Sequence, residues 1–120
     1  MATDRATTRI LSNLMDIQGV QAVLIVANDG FLIESLGSSK NVELDSLGAS
    51  LSIVLQGVTR LSSDMGVPTF HAITLESAGT TLMCVPVGEA ILAIVAPDSY
   101  SLGMIRLKTK KYVRELIEVL

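Results

Sequence analysis

The chain has 120 residues, 49% of them hydrophobic and 18% charged, with a formal net charge of −3; this length suits a single domain over residues 1–120 that buries its own core. One cysteine and one histidine exclude a disulfide framework and a cysteine-based zinc site, which favours a reducing, cytoplasmic compartment. The acidic balance argues against nucleic acid as a partner, and the absence of any apolar run near the ~20 residues that span a bilayer argues against membrane insertion.

The first third of the chain predicts one helix followed by a hairpin. Apolar residues at helical spacing indicate a helix over residues 4–17, which ends at Gly19. Residues 20–27 are almost all apolar, which is typical of a strand covered on both faces. The N-D-G sequence at 28–30 predicts a tight turn because glycine tolerates positive φ, so residues 31–36 form the return strand.

The rest of the chain predicts a long helix, three short strands and a final helix. The long helix covers residues 42–65, because Asn41 suits its N-cap and Gly66 and Pro68 stop it. The later elements are predicted at residues 69–76, 81–87, 90–96 and 102–119.

The pattern of buried strands fixes a topology. Strands 20–27 and 90–96 are apolar on both faces, so they must lie in the middle of the sheet under helices on both sides. Hairpins then place 31–36 outside the first of them, and 81–87 followed by 69–76 outside the second. The predicted fold is an α/β (α+β) domain with a five-stranded antiparallel sheet, order 2-1-5-4-3, between helices on both faces.

The long helix carries two stripes that are poor in charge. The first is predicted to cover the sheet and consists of Leu44, Leu47, Leu51, Val54, Val58, Leu61 and Met65. The second consists of the small or apolar residues Ser46, Ala49, Ser50, Ile53 and Gly57, and ends at Arg60. A glycine inside a helix costs about 1 kcal/mol relative to alanine, and small side chains permit close approach. The second stripe therefore predicts a helix–helix contact between subunits, with a plain solvent-exposed face as the alternative.

The third strand predicts the same assembly. It reads T-F-H-A-I-T-L-E, without proline and without charge before Glu76, and an unprotected edge strand tends to pair with another chain. A two-fold axis beside this strand would join two sheets and bring two long helices together. The predicted homodimer interface is Ser46, Ala49, Ser50, Ile53, Gly57, Phe70, His71 and Ile73.

No motif in the sequence points to catalysis or to a cofactor. Neither the G-x-x-x-x-G-K-[S/T] loop nor the G-x-G-x-x-G loop is present, and the scattered acidic residues form no acid–base couple. His71 has no partner serine or cysteine and is interpreted as a packing or surface residue. Cys84 stands in an apolar strand and is predicted to be a small core residue. We therefore expect a non-catalytic protein.

Four stretches, in order and spanning essentially the whole chain, resemble the roadblock/dynein light chain family. They are I-Q-G-V-Q-A-V-L-I-V, N-D-G-F-L-I, V-P-V-G-E-A-I-L-A-I-V and L-G-M-I-R-L. The resemblance implies a roadblock, profilin-like fold and a dimer joined through the long helix and the edge strand. It also implies work on Ras-like small GTPases, in the manner of a stand-alone bacterial or archaeal regulator.

The resemblance thus predicts a cytoplasmic homodimer that regulates or scaffolds a Ras-like small GTPase, with stimulation of GTP hydrolysis as a further expectation. The outer polar residues of the long helix are expected to contact this partner; they are Asp45, Gln56, Arg60 and Ser63. Two alternatives stay open at this point. One is a structural adaptor, like a dynein light chain, without nucleotide dependence, and the other is a small-molecule sensor domain.

Overall fold

The computed structural model contains the predicted elements in the predicted order. They are α1 (Arg5–Met15), β1 (Ala22–Ala27), β2 (Leu32–Gly37), α2 (Leu44–Asp64), β3 (Ile73–Ser77), β4 (Thr80–Val87), β5 (Ala90–Ala96) and α3 (Leu102–Val119). The structure describes residues 5–38, 42–97 and 102–120. Within these ranges, every helix is too short or too polar to cross a lipid bilayer.

The strands form one antiparallel sheet in the order β2-β1-β5-β4-β3, which confirms the predicted topology. The central strands β1 and β5 pair along their whole length, from Ala22 opposite Val95 to Ala27 opposite Ala90. All of β5 is buried, as is β1 except for its last residue. Both strands are apolar on each face because helices cover each side of the sheet at its centre.

One face of the sheet, called here the closed face, lies under two helices. Helix α1 packs on β1, β2 and α3, while α3 packs on β4. Leu11 and Leu14 from α1 and Leu116 from α3 are fully buried against Ile25 and Leu92 of the sheet. Each such leucine contributes roughly 1.5–3 kcal/mol through burial, so this face holds most of the core.

Among the described elements, α2 alone lies on the other face, called here the open face. Leu51 and Leu55 of α2 pack on Leu24 and Ala93 of the central strands, and the helix contacts β1 and β2. These two strands lie at the β2 side of the sheet.

Both ends of α2 have defined caps. The carboxylate of Glu43 accepts a hydrogen bond from the backbone N–H of Ser46 at 2.8 Å, so the helix begins at Leu44 instead of residue 42; Asn41, interpreted as the cap from the sequence, lies outside the described residues. At the other end Gly66 has a φ of +77°. Its N–H donates to the Ser63 carbonyl, and the next N–H donates to the Ser62 carbonyl, each at 3.0 Å. This geometry confirms the prediction that Gly66 ends the long helix.

The rotation of α2 about its axis differs from the prediction. Val54, Leu61 and Met65, expected on the sheet, are at least half exposed, whereas Gly48 and Leu55 are buried. The cause is the β1–β2 turn, which docks against the first half of the helix. A Cβ at Gly48 would lie 3.0 Å from the carbonyl oxygen of Gly30, and this close approach turns the expected leucine stripe partly away from the sheet.

The third strand is shorter than predicted. It begins at Ile73, where it pairs with Cys84, instead of at residue 69. Phe70 and His71 therefore precede the strand. Phe70 is half-buried against the open-face core, whereas His71 is exposed, so the expectation of a mid-strand histidine is wrong.

Candidate protein-interaction surface

Large apolar side chains are exposed on α2 and on the edge strand β3. The exposed fractions are 72% for Ile53, 50% for Val54, 56% for Leu61 and 65% for Leu75. Leu75 pairs with Leu82, which packs into the open-face core, so Leu75 points to the open face as well. Exposed apolar side chains grouped in this way are typical of a surface that another protein covers.

Most exposed side chains of α2 fall into two arcs. At about 100° per residue, one arc about 100° wide, called here the contact arc, contains the small or apolar residues Ser46, Ser50, Ile53, Val54, Gly57 and Leu61, with the Asp64 carboxylate in the same arc at the last turn. All six residues are exposed, and a Cβ added at Gly57 would meet no atom within 4 Å. Four of the five helix residues predicted for the dimer interface lie in this arc. The sequence interpretation missed Val54 and Leu61 because their spacing also fits the stripe that was assigned to the core.

A second, polar arc lies beside the contact arc. It is about 60° wide at the same 100° spacing and contains the four predicted partner-binding residues, Asp45, Gln56, Arg60 and Ser63, together with Ala49. We call these residues the polar ridge. All of them are exposed. The Arg60 guanidinium Nε lies 4.0 Å from Asp64 Oδ2, and since both side chains are largely exposed, this ion pair holds Arg60 only weakly.

The dimensions of the sheet leave room on the open face for a second helix. Strands lie about 4.8 Å apart, so a five-stranded sheet is roughly 20 Å wide, whereas a helix with its side chains is about 10 Å across. Within the part of the chain that the structure describes, two helices cover the closed face and one, α2, covers the open face. The residues left partly uncovered include Ile73 and Leu82, on the strands nearest the β3 edge.

The β3 edge itself has little protection. The strand consists of Ile73–Ser77 and pairs with β4 on one side; within the described residues its other side has no strand neighbour. It contains neither proline nor lysine, which are the residues that commonly block such pairing. Of the predicted interface residues near this edge, Phe70 and Ile73 contact the open-face core, while His71 lines a groove beside α3.

Metal-ligand residue types and the single thiol are the remaining groups that could carry chemistry. The described residues contain no group of three or more residues able to hold a metal ion. Cys84 is buried, as predicted, and burial raises the pKa of its thiol to about 12. A thiol with this pKa stays protonated and unreactive at neutral pH.

Comparison with known families and curated proteins yields two matches. A family model described as the Roadblock/LC7 domain matches residues 7–96. An uncharacterised protein of Methanocaldococcus jannaschii is 29% identical over 86 residues, which cover 72% of this chain and 77% of that protein.

Solved structures with the same architecture include two bacterial proteins. MglB of Myxococcus xanthus superposes with a TM-score of 0.88 at 25% identity, over 99% of this chain and 92% of that one. The gliding protein MglB of Thermus thermophilus superposes with a TM-score of 0.87 at 19% identity, over 95% of this chain and 87% of that one. The second likeness concerns the fold alone.

Proposed function

The chain belongs to the roadblock/LC7 domain family, and from this premise we propose that it is a non-catalytic, homodimeric regulator or scaffold of a Ras-like small GTPase. The observation that carries the proposal is the open face, where the contact arc and the unpaired β3 edge are both left for another chain to cover. The family resemblance implies the class of partner, and the polar ridge supplies a surface for it.

In the proposed dimer a two-fold axis passes beside β3. The two edge strands pair, so that two sheets become one, and the two α2 helices meet through their contact arcs. Ile53 and Leu61 would then be buried, and Gly57 would allow the helix backbones to approach closely. Ser46, Ser50, Phe70 and Ile73 complete the contact, with Ala49 and His71 at its margin.

The GTPase is proposed to sit across the two-fold axis. Each copy of α2 presents its polar ridge beside the helix pair, so one GTPase would meet both copies, and two chains would serve one partner. The GTP-bound state should bind better because the γ-phosphate orders the switch loops. A coupling of roughly 1–3 kcal/mol corresponds to about a 5- to 150-fold preference.

The test is a titration of the purified dimer against a small GTPase encoded beside it, loaded with GDP or with a GTP analogue. Arg60→Glu should weaken binding because it reverses the one positive charge of the polar ridge, while light scattering shows an intact dimer. Arg9→Glu is the matched control, since Arg9 is an exposed arginine on α1. GTP hydrolysis measured in the same mixtures shows whether the dimer stimulates the partner.

Two results would contradict the proposal. Equal affinity for both nucleotide states would favour the structural adaptor, and no binding in either state would remove the GTPase regulator. Calorimetry with GTP or ATP and the dimer alone is the control for direct nucleotide binding. We expect no heat of binding, because the sequence contains no phosphate-binding loop.

A further inference from the structure

A groove of about 650 Å³ separates α3 from the segment that leads into β3. It arises from the strand register, because pairing with β3 ends at Cys84 while β4 continues to Val87. Its lining is mainly apolar, with Phe70, Met83, Val85, Pro86 and Val113 contributing large side chains. Met83, Val85 and Val113 belong to the closed-face core, whereas Phe70 packs against the open-face core, so the groove opens beside α3 at the β3 edge of the sheet.

The rim of this groove is basic. Arg106 and Lys110 from α3 line one side, and His71 lies on the other. Among the described residues the one ion pair joins Arg60 and Asp64. Arg106 and Lys110 therefore have no carboxylate partner there. Leu107, which is 66% exposed, continues the apolar lining onto the rim.

The positive charge of α3 is concentrated on the groove side. The helix carries five of the nine lysines and arginines of the chain but only two of its twelve acidic residues. At about 100° per residue, Arg106, Lys110 and Arg114 fall within one arc that contains no acidic residue. Glu115 and Glu118 lie outside this arc, toward Lys108 and Lys111, and they line a shallow depression together with Lys110 and Arg114. The groove side is thus the most cationic part of a chain that is acidic elsewhere.

We propose that this groove docks an acidic, extended segment of a partner protein, in which carboxylates flank a large apolar side chain. The apolar side chain would enter the floor, and the carboxylates would pair with Arg106 and Lys110. Pro86 has no N–H to donate, so the segment is held by its side chains and not by strand addition. An inserted side chain also suits a concave groove, which a flat lipid surface would leave empty.

This docking site is separate from the surface proposed for the GTPase. The polar ridge lies on α2, over the open face, whereas the groove adjoins α3 on the closed face. Phe70 and His71 border both the groove and the proposed dimer contact, whereas Arg106 and Lys110 lie outside that contact and would stay available in a dimer that holds a GTPase. Failure of one proposal leaves the other standing, since the experiment below contains no GTPase.

The experiment uses fluorescence anisotropy with two labelled peptides. One contains aspartates and glutamates around a central phenylalanine, and the other has alanine in place of the phenylalanine. The wild-type protein should bind the first peptide saturably, at one peptide per chain, and the second more weakly. The double variant Arg106→Glu/Lys110→Glu should lose about ten-fold or more in affinity, because two charge-assisted contacts become repulsive.

The matched control is Lys108→Glu/Lys111→Glu, which makes the same change in charge on the other side of the same helix. It should stay within about two-fold of wild type, since the groove contacts are retained. Circular dichroism and light scattering establish that both variants keep the fold and the oligomeric state of the wild type.

Three results would overturn the proposal. Equal losses in the two double variants would mean general charge attraction, and equal binding of the two peptides would mean that no side chain enters the groove. Absence of saturable peptide binding, together with binding to phosphatidylserine vesicles that both variants lose, would assign the basic face of α3 to a lipid surface.

Discussion

The two faces of the sheet differ in how far a single chain can cover them. On the closed face, α1 and α3 enclose leucines that are fully buried, including Leu14 and Leu116. On the open face, α2 lies alone, and Val54, Leu61 and Leu75 remain at least half exposed. Yet the central strands are equally apolar on both sides.

The difference shows that covering a face depends on the number of helices as well as on the hydrophobicity of the strands. Two helices span a sheet roughly 20 Å wide, while one helix about 10 Å across does not. The closed face is therefore covered within one chain except at the groove beside α3. The open face has the composition of a core but the exposure of a surface, which is the arrangement expected where a second copy packs.

The largest effect should come from truncating the closed-face core. Leu116→Ala removes a side chain with 0% exposure, and such a cavity costs about 2–5 kcal/mol. The matched change Leu61→Ala on α2, where exposure is 56%, should cost less than about 1 kcal/mol in the monomer. Urea denaturation at low protein concentration measures both, and equal losses would contradict the distinction between the two faces.

The next effect concerns the contact arc. Ile53→Glu would place an unpaired charge in the proposed helix contact, at a cost of several kcal/mol, so the dimer dissociation constant should rise roughly 100-fold or more. Gly57→Lys should act in the same direction by adding bulk and charge. Gln56→Glu is the control, because it introduces the same charge on the polar ridge. Light scattering across a dilution series is the measurement, and a dimer indifferent to both changes would have its interface elsewhere.

A smaller effect tests how well the open face shields its own core. Burial raises the pKa of the Cys84 thiol from 9.0 to about 12. The unfolded thiol ionises near its ordinary pKa, so the stabilising contribution of the neutral thiol is complete below pH 9 and is lost as the pH rises toward 12. Urea unfolding of wild type and Cys84→Ala at pH 8 and at pH ~10.5 should show a steeper loss in the wild type. Parallel losses would mean that the thiol is already hydrated in the folded protein.

The smallest effect is expected at the ion pair between Arg60 of the polar ridge and Asp64. Asp64→Asn removes the ion pair with Arg60, but both side chains are mostly exposed, so the free energy of unfolding should change by less than about 0.5 kcal/mol. Thermal unfolding of the two proteins checks this. A larger loss would show that the ridge stabilises the fold, which would weaken its assignment as a surface reserved for a partner.

The strand order could be predicted because it leaves a mark in local composition. Strands covered on both faces lack the polar alternation of edge strands, so β1 and β5 were identifiable as central without any knowledge of tertiary contacts. The hairpin turns then predicted that β2 lies beside β1 and that β4 and β3 follow β5. The start of α2 was harder to predict, because the side chains of Asn41 and Glu43 can both accept a hydrogen bond from the first turn.

The rotation of α2 could not be predicted in the same way. Apolar residues occur on more than one side of this helix, so a periodicity of three and four residues fits several stripes. Only the docking of the turn around Gly30 against Gly48 selects one of them. The hydroxyl of Ser52, which donates to the Asn28 carbonyl at 2.9 Å, adds a polar contact at the same place. These contacts involve small or polar residues, which a search for hydrophobic stripes passes over.

The sequence alone thus determined the elements, the order of the strands and the grouping of most contact-arc residues, because each depends on short-range patterns of side chains. Tertiary structure decided which α2 side chains stay exposed, where β3 begins, and that His71 lies with Arg106 and Lys110 on one groove. The physical reason is distance along the chain. These features arise where segments far apart in sequence meet, and their geometry depends on the closeness of backbone approach that glycine and the strand register permit.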